Sequence, residues 1–178
     1  EESKKYATEV GEPFYDGCRV ALKSVFDFYQ KESKAQKEIK RARLAHQASI
    51  ILLFRIISIR YLEDRGVLPT QSGKYRDVSL DVVRLKIEQV FKSGKSFSSK
   101  ESEIWERLKV LFRDVNSGVY GIYVGHKGFE SELFEIDFDK YFSDHPMSDD
   151  VLARVIDSIC RGTGKDAGQI DFYDLGVE

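Results

Sequence analysis

Ser49-Ile-Ile-Leu-Leu-Phe-Arg-Ile-Ile-Ser-Ile-Arg-Tyr-Leu-Glu-Asp-Arg-Gly-Val-Leu-Pro69 decides how this chain folds. From Ile50 to Leu62 it is apolar at nearly every position, broken only by Arg55, Ser58 and Arg60. A helix built from such residues has no polar face to give to water, so the stretch predicts a central helix wrapped by other helices. Its thirteen positions fall short of the roughly 20 that cross a bilayer, and two of them are arginines, so no membrane contact is expected. Gly66 supplies a helix stop and Pro69 prevents the helix from resuming.

Upstream, no Gly or Pro interrupts the chain back to Ser33, a candidate cap, so the same helix can run about 30 residues. Its first part, Lys31-Glu-Ser-Lys-Ala-Gln-Lys-Glu-Ile-Lys-Arg-Ala-Arg43, holds six basic and two acidic residues. The segment therefore reads as a strut that starts solvated and ends buried. Lys34, Lys37, Lys40, Arg41 and Arg43 are the candidate contacts to a nucleic-acid backbone; a merely solvated face explains them equally well.

Within the apolar half, a guanidinium needs a partner or a route to water. Arg60 and Asp64 are four apart and Glu63 falls near the face of Arg55, so Arg55, Arg60, Glu63 and Asp64 are expected to form a structural ion-pair cluster. His46 is expected to be satisfied inside a helix interface, since no second ligand lies near it in sequence.

Other helices announce themselves by spacing. Cys18, Ala21, Leu22, Val25, Phe28 and Tyr29 recur at threes and fours, with Pro13 at the first turn of that helix and residues 1–11 frayed. Ser79 caps a helix bearing Leu80, Val83, Ile87, Val90 and Phe91, stopped near Gly94. Ser98 and Glu101 form a capping-box pair before Ile104, Leu108, Leu111, Phe112 and Val115, with Trp105 packing at the edge of that stripe. Ser148 caps the last helix, with Asp149 and Asp150 at its positive end.

Between these, Val119–Val124 and Leu133–Phe138 are bounded by glycines, and in the second Phe134, Ile136 and Phe138 alternate with Glu135, Asp137 and Asp139, which predicts a small β hairpin or extended segment near 119–138. Residues 162–178 read as a linker toward a downstream domain. The fold class is thus mainly α, an irregular multi-helix bundle around one long buried helix, in a single domain over 1–178 cut from a larger protein.

Composition narrows the chemistry. The chain has 178 residues and a net charge of −2, so no global field draws it to nucleic acid. Two distant cysteines, Cys18 and Cys160, argue against both a zinc site and a disulfide framework, and a reducing cytoplasm suits them. Gly94-Lys95-Ser96 and Gly164-Lys165 lack the upstream glycine of a phosphate loop. Asp27 with Glu38-Ile39-Lys40 has the letters of a metal-dependent nuclease, yet both sit on predicted helices rather than adjacent strands. No catalytic centre and no metal or cofactor site is read here.

The segment Leu52–Pro69, with its Glu63-Asp64-Arg65-Gly66 ending, resembles a helix of single-chain type IIG restriction–modification enzymes and large adenine-N6 DNA methyltransferases. Ile104–Phe112, Met147–Ile156 and Ile170–Glu178 resemble later segments of that family, in the same order. Where relatives carry Tyr-Asn-Gly-Gly-Leu-Phe, this chain has Gly128-Phe-Glu-Ser-Glu-Leu-Phe134 and keeps only the last two residues. The resemblance implies a non-catalytic helical connector, flanked in the parent protein by nuclease and methylase domains that work on DNA with S-adenosylmethionine and Mg²⁺. A helical protein–protein interaction module is the alternative.

Overall fold

The computed structural model describes residues 2–32, 38–71, 73–117, 138–161 and 170. Among them every regular element is a helix and none is a strand. In chain order these are α1 (Glu2–Glu32), α2 (Glu38–Asp64), the single turn α3 (Gly73–Arg76), α4 (Leu80–Lys92), α5 (Glu103–Ser117), the short α6 (Phe138–Asp144) and α7 (Asp149–Arg161). The hairpin expected at 119–138 lies outside the described residues except for Phe138, which opens α6.

Helix α1 packs along α7 and α2; α7 also touches α4 and α5, and α4 touches α2 and α5. The inner position therefore belongs to α7 as much as to α2. Leu152, Ala153, Val155, Ile156, Ile159 and Cys160 of α7 are wholly buried against Ala21, Val25 and Tyr29 of α1 and other core residues. Ile170, in the expected linker, is also buried, and its N–H donates to the Cys160 carbonyl at 2.8 Å. The rest of 162–178 lies outside the described residues.

The expectation that α2 is wrapped on all sides is corrected. It buries one broad side, Ala45, Ala48, Ser49, Leu52, Leu53, Arg55, Ile56, Ile59, Arg60 and Glu63, at short helical steps. That is the face a 3.6-residue period turns toward a neighbour. Phe54 and Tyr61, 55% and 40% exposed, stand on the opposite side. By length and composition α2 is long and apolar enough to cross a membrane, the one such helix among the described residues. Its buried residues nonetheless include Arg55, Arg60 and Glu63, packed against neighbouring helices as in a core helix.

Two further readings change. Residues Glu2 to Gly11 continue α1 instead of fraying, and Pro13 lies inside the helix. The Lys, Glu and Ala of that segment favour a helix while offering no apolar stripe by which periodicity could find it. Residues 70–78, to which the spacing assigns no helix, contain the single turn α3, whose Tyr75 is wholly buried.

Candidate functional site

The end of α2 is tied to the start of α4 through one carboxylate. Glu63 is 5% exposed, and its Oε1 accepts from the Tyr75 hydroxyl and from the Leu80 N–H, both at 2.8 Å. Its Oε2 accepts from the Asp81 N–H at 2.9 Å. Leu80 and Asp81 are the first two residues of α4, whose amides have no partner within their own helix. Ser79 Oγ accepts from Val82 N–H at 3.3 Å, and the Val83 N–H reaches the Ser79 carbonyl at 3.4 Å. The four amides at the start of α4 are thereby all satisfied, two of them by a residue from another helix, and the negative charge meets the positive end of the helix dipole.

One arginine reaches this carboxylate and a second extends the network. Arg60 Nη1 stands 3.7 Å from Glu63 Oε2 and 3.4 Å from Asp81 Oδ1, and Arg60 also pairs with Asp64. Arg84 reaches Asp81 at 2.8 Å and Glu88 at 3.5 Å. Two guanidiniums thus serve four carboxylates, and both arginines are buried. Burial pushes the Glu63 carboxyl up to about 7, and the charge of Asp81 adds to the rise; the Tyr75 hydroxyl, the Leu80 amide and Arg60 pull the other way.

The residues of the Glu63–Gly66 ending each have a mechanical part. Glu63 holds α4, Asp64 holds Arg60, and the Arg65 guanidinium lies 5.2 Å from the Tyr61 ring centroid. Gly66 takes φ +67°, and its N–H bonds to Glu63 O at 3.0 Å while Val67 N–H bonds to Leu62 O at 2.9 Å. This pair of bonds closes the last turn around a left-handed residue, which glycine adopts without steric cost.

Arg60 is joined to Glu63 and Asp64 by ion pairs, and Arg55 packs against aromatic rings. Five residues earlier on α2, about 7.5 Å along the axis, its guanidinium lies 5.5 Å from the Phe112 ring and 5.6 Å from the Phe142 ring. Trp105 meets Phe142 edge to face at 5.6 Å and is 1% exposed, well inside rather than at the edge of its helix stripe.

A second carboxylate repeats the pattern seen at Glu63. Asp149, the first residue of α7, is 4% exposed and its Oδ1 accepts from the Ile104 N–H of α5 at 2.8 Å. The Asp149 and Asp150 amides donate to Glu101 O at 2.8 Å and Ser98 O at 3.1 Å. The capping box expected from Ser98 and Glu101 is thus replaced. Ser98 Oγ accepts from Lys100 N–H in a tight turn, and the amide of α5 is capped from α7, because the chain folds the two helix starts together.

Of the candidate backbone contacts, Lys34 and Lys37 lie outside the described residues. Lys40 and Arg43 are exposed and Arg41 is half-buried on the first turns of α2. Asp27 and Glu38–Lys40 sit on α1 and α2, and Asp27 pairs with Lys23 at 2.5 Å. His46 is exposed rather than held in an interface. Burial raises the thiols of Cys18 and Cys160 to about 11 and about 12, which suppresses the reactive thiolate. Among the described residues no group of three His, Cys, Asp or Glu is placed to hold a metal ion.

Sequence reasoning missed Tyr75, Asp81, Arg84 and the cross-helix part of Asp149. The i,i+3 and i,i+4 spacing of Arg84 to Asp81 and Glu88 is readable beforehand. Contacts between separate helices leave no local signal. No known family model, curated protein sequence or solved structure matches this chain.

Proposed function

We propose that this chain is the helical connector of a DNA restriction–modification protein of the adenine-N6 methyltransferase kind, non-catalytic by itself and working in the cytoplasm. The parent would use S-adenosylmethionine and Mg²⁺ in its methylase and nuclease domains, which the connector holds in fixed relation. What supports this is the use made of Glu63, Asp64, Arg65 and Gly66. The residues that carry the resemblance tie helices to one another or stop one, as a connector that transmits a fixed geometry requires.

DNA contact is assigned to the basic residues Lys34, Lys37, Lys40, Arg41 and Arg43; of these Lys40 and Arg43 are exposed on the first turns of α2. Anisotropy of a labelled duplex mixed with the 178-residue chain at low and high salt tests it. Binding that weakens with salt is the expected result; a duplex left free at low salt removes the DNA role.

A second reading, a helical module that docks another protein, draws on the outer face of α2. Phe54 and Tyr61 are exposed there one heptad apart, with Val67 exposed just beyond the helix. Sedimentation showing a stable oligomer that Phe54→Ser dissolves, together with no DNA binding, would favour it.

A further inference from the structure

We propose that the outer face of α2 binds single-stranded DNA, with its phosphates on Lys40 and Arg43 and an unpaired base stacked on Phe54. This contact rests on the DNA role proposed above and extends it along the helix. Arg43, Phe54 and Tyr61 stand about three and two whole turns apart, so they form one line on the side of α2 away from its buried residues. From Arg43 to Tyr61 that line is about 27 Å long.

The charge along this face is of one sign. From Ile39 to Leu62 the helix contains no Asp or Glu. Glu63 and Asp64, which follow, are committed to the start of α4 and to Arg60, and Glu38 is the acid of the first turn. Lys40 and Arg43 are exposed and make no ion pair among the described residues, so each can meet a phosphate without first giving up a partner.

The rings on the same line are open. Phe54 is 55% exposed and has no ring contact among the described residues. Tyr61 is 40% exposed, and the Arg65 guanidinium 5.2 Å from its centroid brings positive charge to the far end of the line. Exposed rings in a row of cations suit a single strand, whose backbone follows the charge while a base stacks on a ring. In a duplex the bases cover one another's faces, and Phe54 would have nothing to stack on.

Other occupants fit less well. A second copy packed face to face would bring the cations of both chains onto a surface with no acid to meet them. A membrane surface calls for a continuous apolar face, and here Arg43, His46 and Gln47 are exposed on the turns before Phe54.

Anisotropy of a labelled oligothymidylate of about 12 nucleotides is measured with the full chain at low and high salt, beside a duplex and an oligoribonucleotide of the same length. The DNA strand should bind about tenfold more tightly than the duplex. Phe54→Leu keeps an apolar side chain and removes the ring; it should weaken the strand about tenfold and leave the duplex and the thermal melt unchanged. Lys40→Ala combined with Arg43→Ala should lower the salt slope of strand binding by about 1.4.

A duplex bound in a salt-dependent way, with the strand no tighter or indifferent to Phe54→Leu, would overturn the strand contact and leave the duplex role standing. Binding of neither would remove both. Tighter binding of the oligoribonucleotide would assign the face to RNA and overturn the proposal. So would capture on phosphatidylglycerol vesicles, or a sedimenting oligomer that Phe54→Leu dissolves, where no strand binds.

Discussion

Replacing Glu63 with Gln keeps the side chain's shape and removes its charge, so it separates two opposed effects at the α2–α4 junction. The carboxylate accepts from Tyr75, Leu80 and Asp81. In the Glu63→Gln variant one of the two oxygens becomes an NH₂ that faces a donor, which leaves at least one buried amide unpaired at a cost of about 1–3 kcal/mol. Against this, the variant no longer buries an ionised group.

Protonation decides which effect shows. In the folded protein the Glu63 carboxyl titrates at about 7, above its ordinary 4.5. Between those values the folded state binds a proton that the unfolded state does not, so the contribution of Glu63 to stability falls as pH rises through that window. The full span corresponds to a ceiling of about 3 kcal/mol. Urea midpoints of wild type and Glu63→Gln at about pH 5 and about pH 8 give the difference directly. The variant should lose about 2–3 kcal/mol more, relative to wild type, at the lower pH. A penalty independent of pH, or larger at the higher pH, would refute the argument, because the amides and Arg60 would then outweigh burial in setting the ionisation of Glu63.

Asp149→Ala should lower stability by about 1–2 kcal/mol by leaving the Ile104 amide unsatisfied, while Asp149→Asn, which keeps an acceptor, should lose less than half of that in the same thermal melt. Gly66→Ala should lose about 1–2 kcal/mol from its left-handed backbone alone, because a Cβ there meets nothing within 4 Å; a loss well beyond that would point to a clash the structure does not contain. Ile156→Ala, at a wholly buried position on α7, should cost about 2–5 kcal/mol in urea unfolding, and a change below about 1 kcal/mol would contradict the inner placement of α7.

Much of the helical framework was legible beforehand because its signals are local. The Ser79 cap and the turn at Gly94, which takes φ +71°, bracket α4 close to where spacing put it. The α7 stripe from Leu152 to Ile159 likewise follows from period alone. The α1 extension and α3 were hidden for opposite reasons: one is polar and shows no stripe, the other is a single turn.

The candidate site was legible only in part. Arg60 with Glu63 and Asp64 is a matter of i,i+3 and i,i+4 spacing, but the sharing of Glu63 between α3 and α4 needs the turn that brings Tyr75 and Leu80 back to α2. The ring contacts of Arg55 were not foreseen. In the fold it lies over Phe112 and Phe142, residues about 57 and 87 positions away, and ring stacking leaves no trace in the periodicity of either partner. Asp149 and Ile104 show the same limit, since a cap supplied from another helix cannot be found by reading three residues ahead.

The connector account is tested most directly by the salt dependence of duplex binding. Each phosphate contact contributes about 0.9 to the slope of log affinity against log salt. The wild-type chain should show a steep negative slope. Replacing Lys34, Lys37, Lys40, Arg41 and Arg43 together with alanine should flatten it by up to about 4.5. A wild-type chain that leaves the duplex unbound at low salt, or a slope unchanged by the five replacements, would contradict the account.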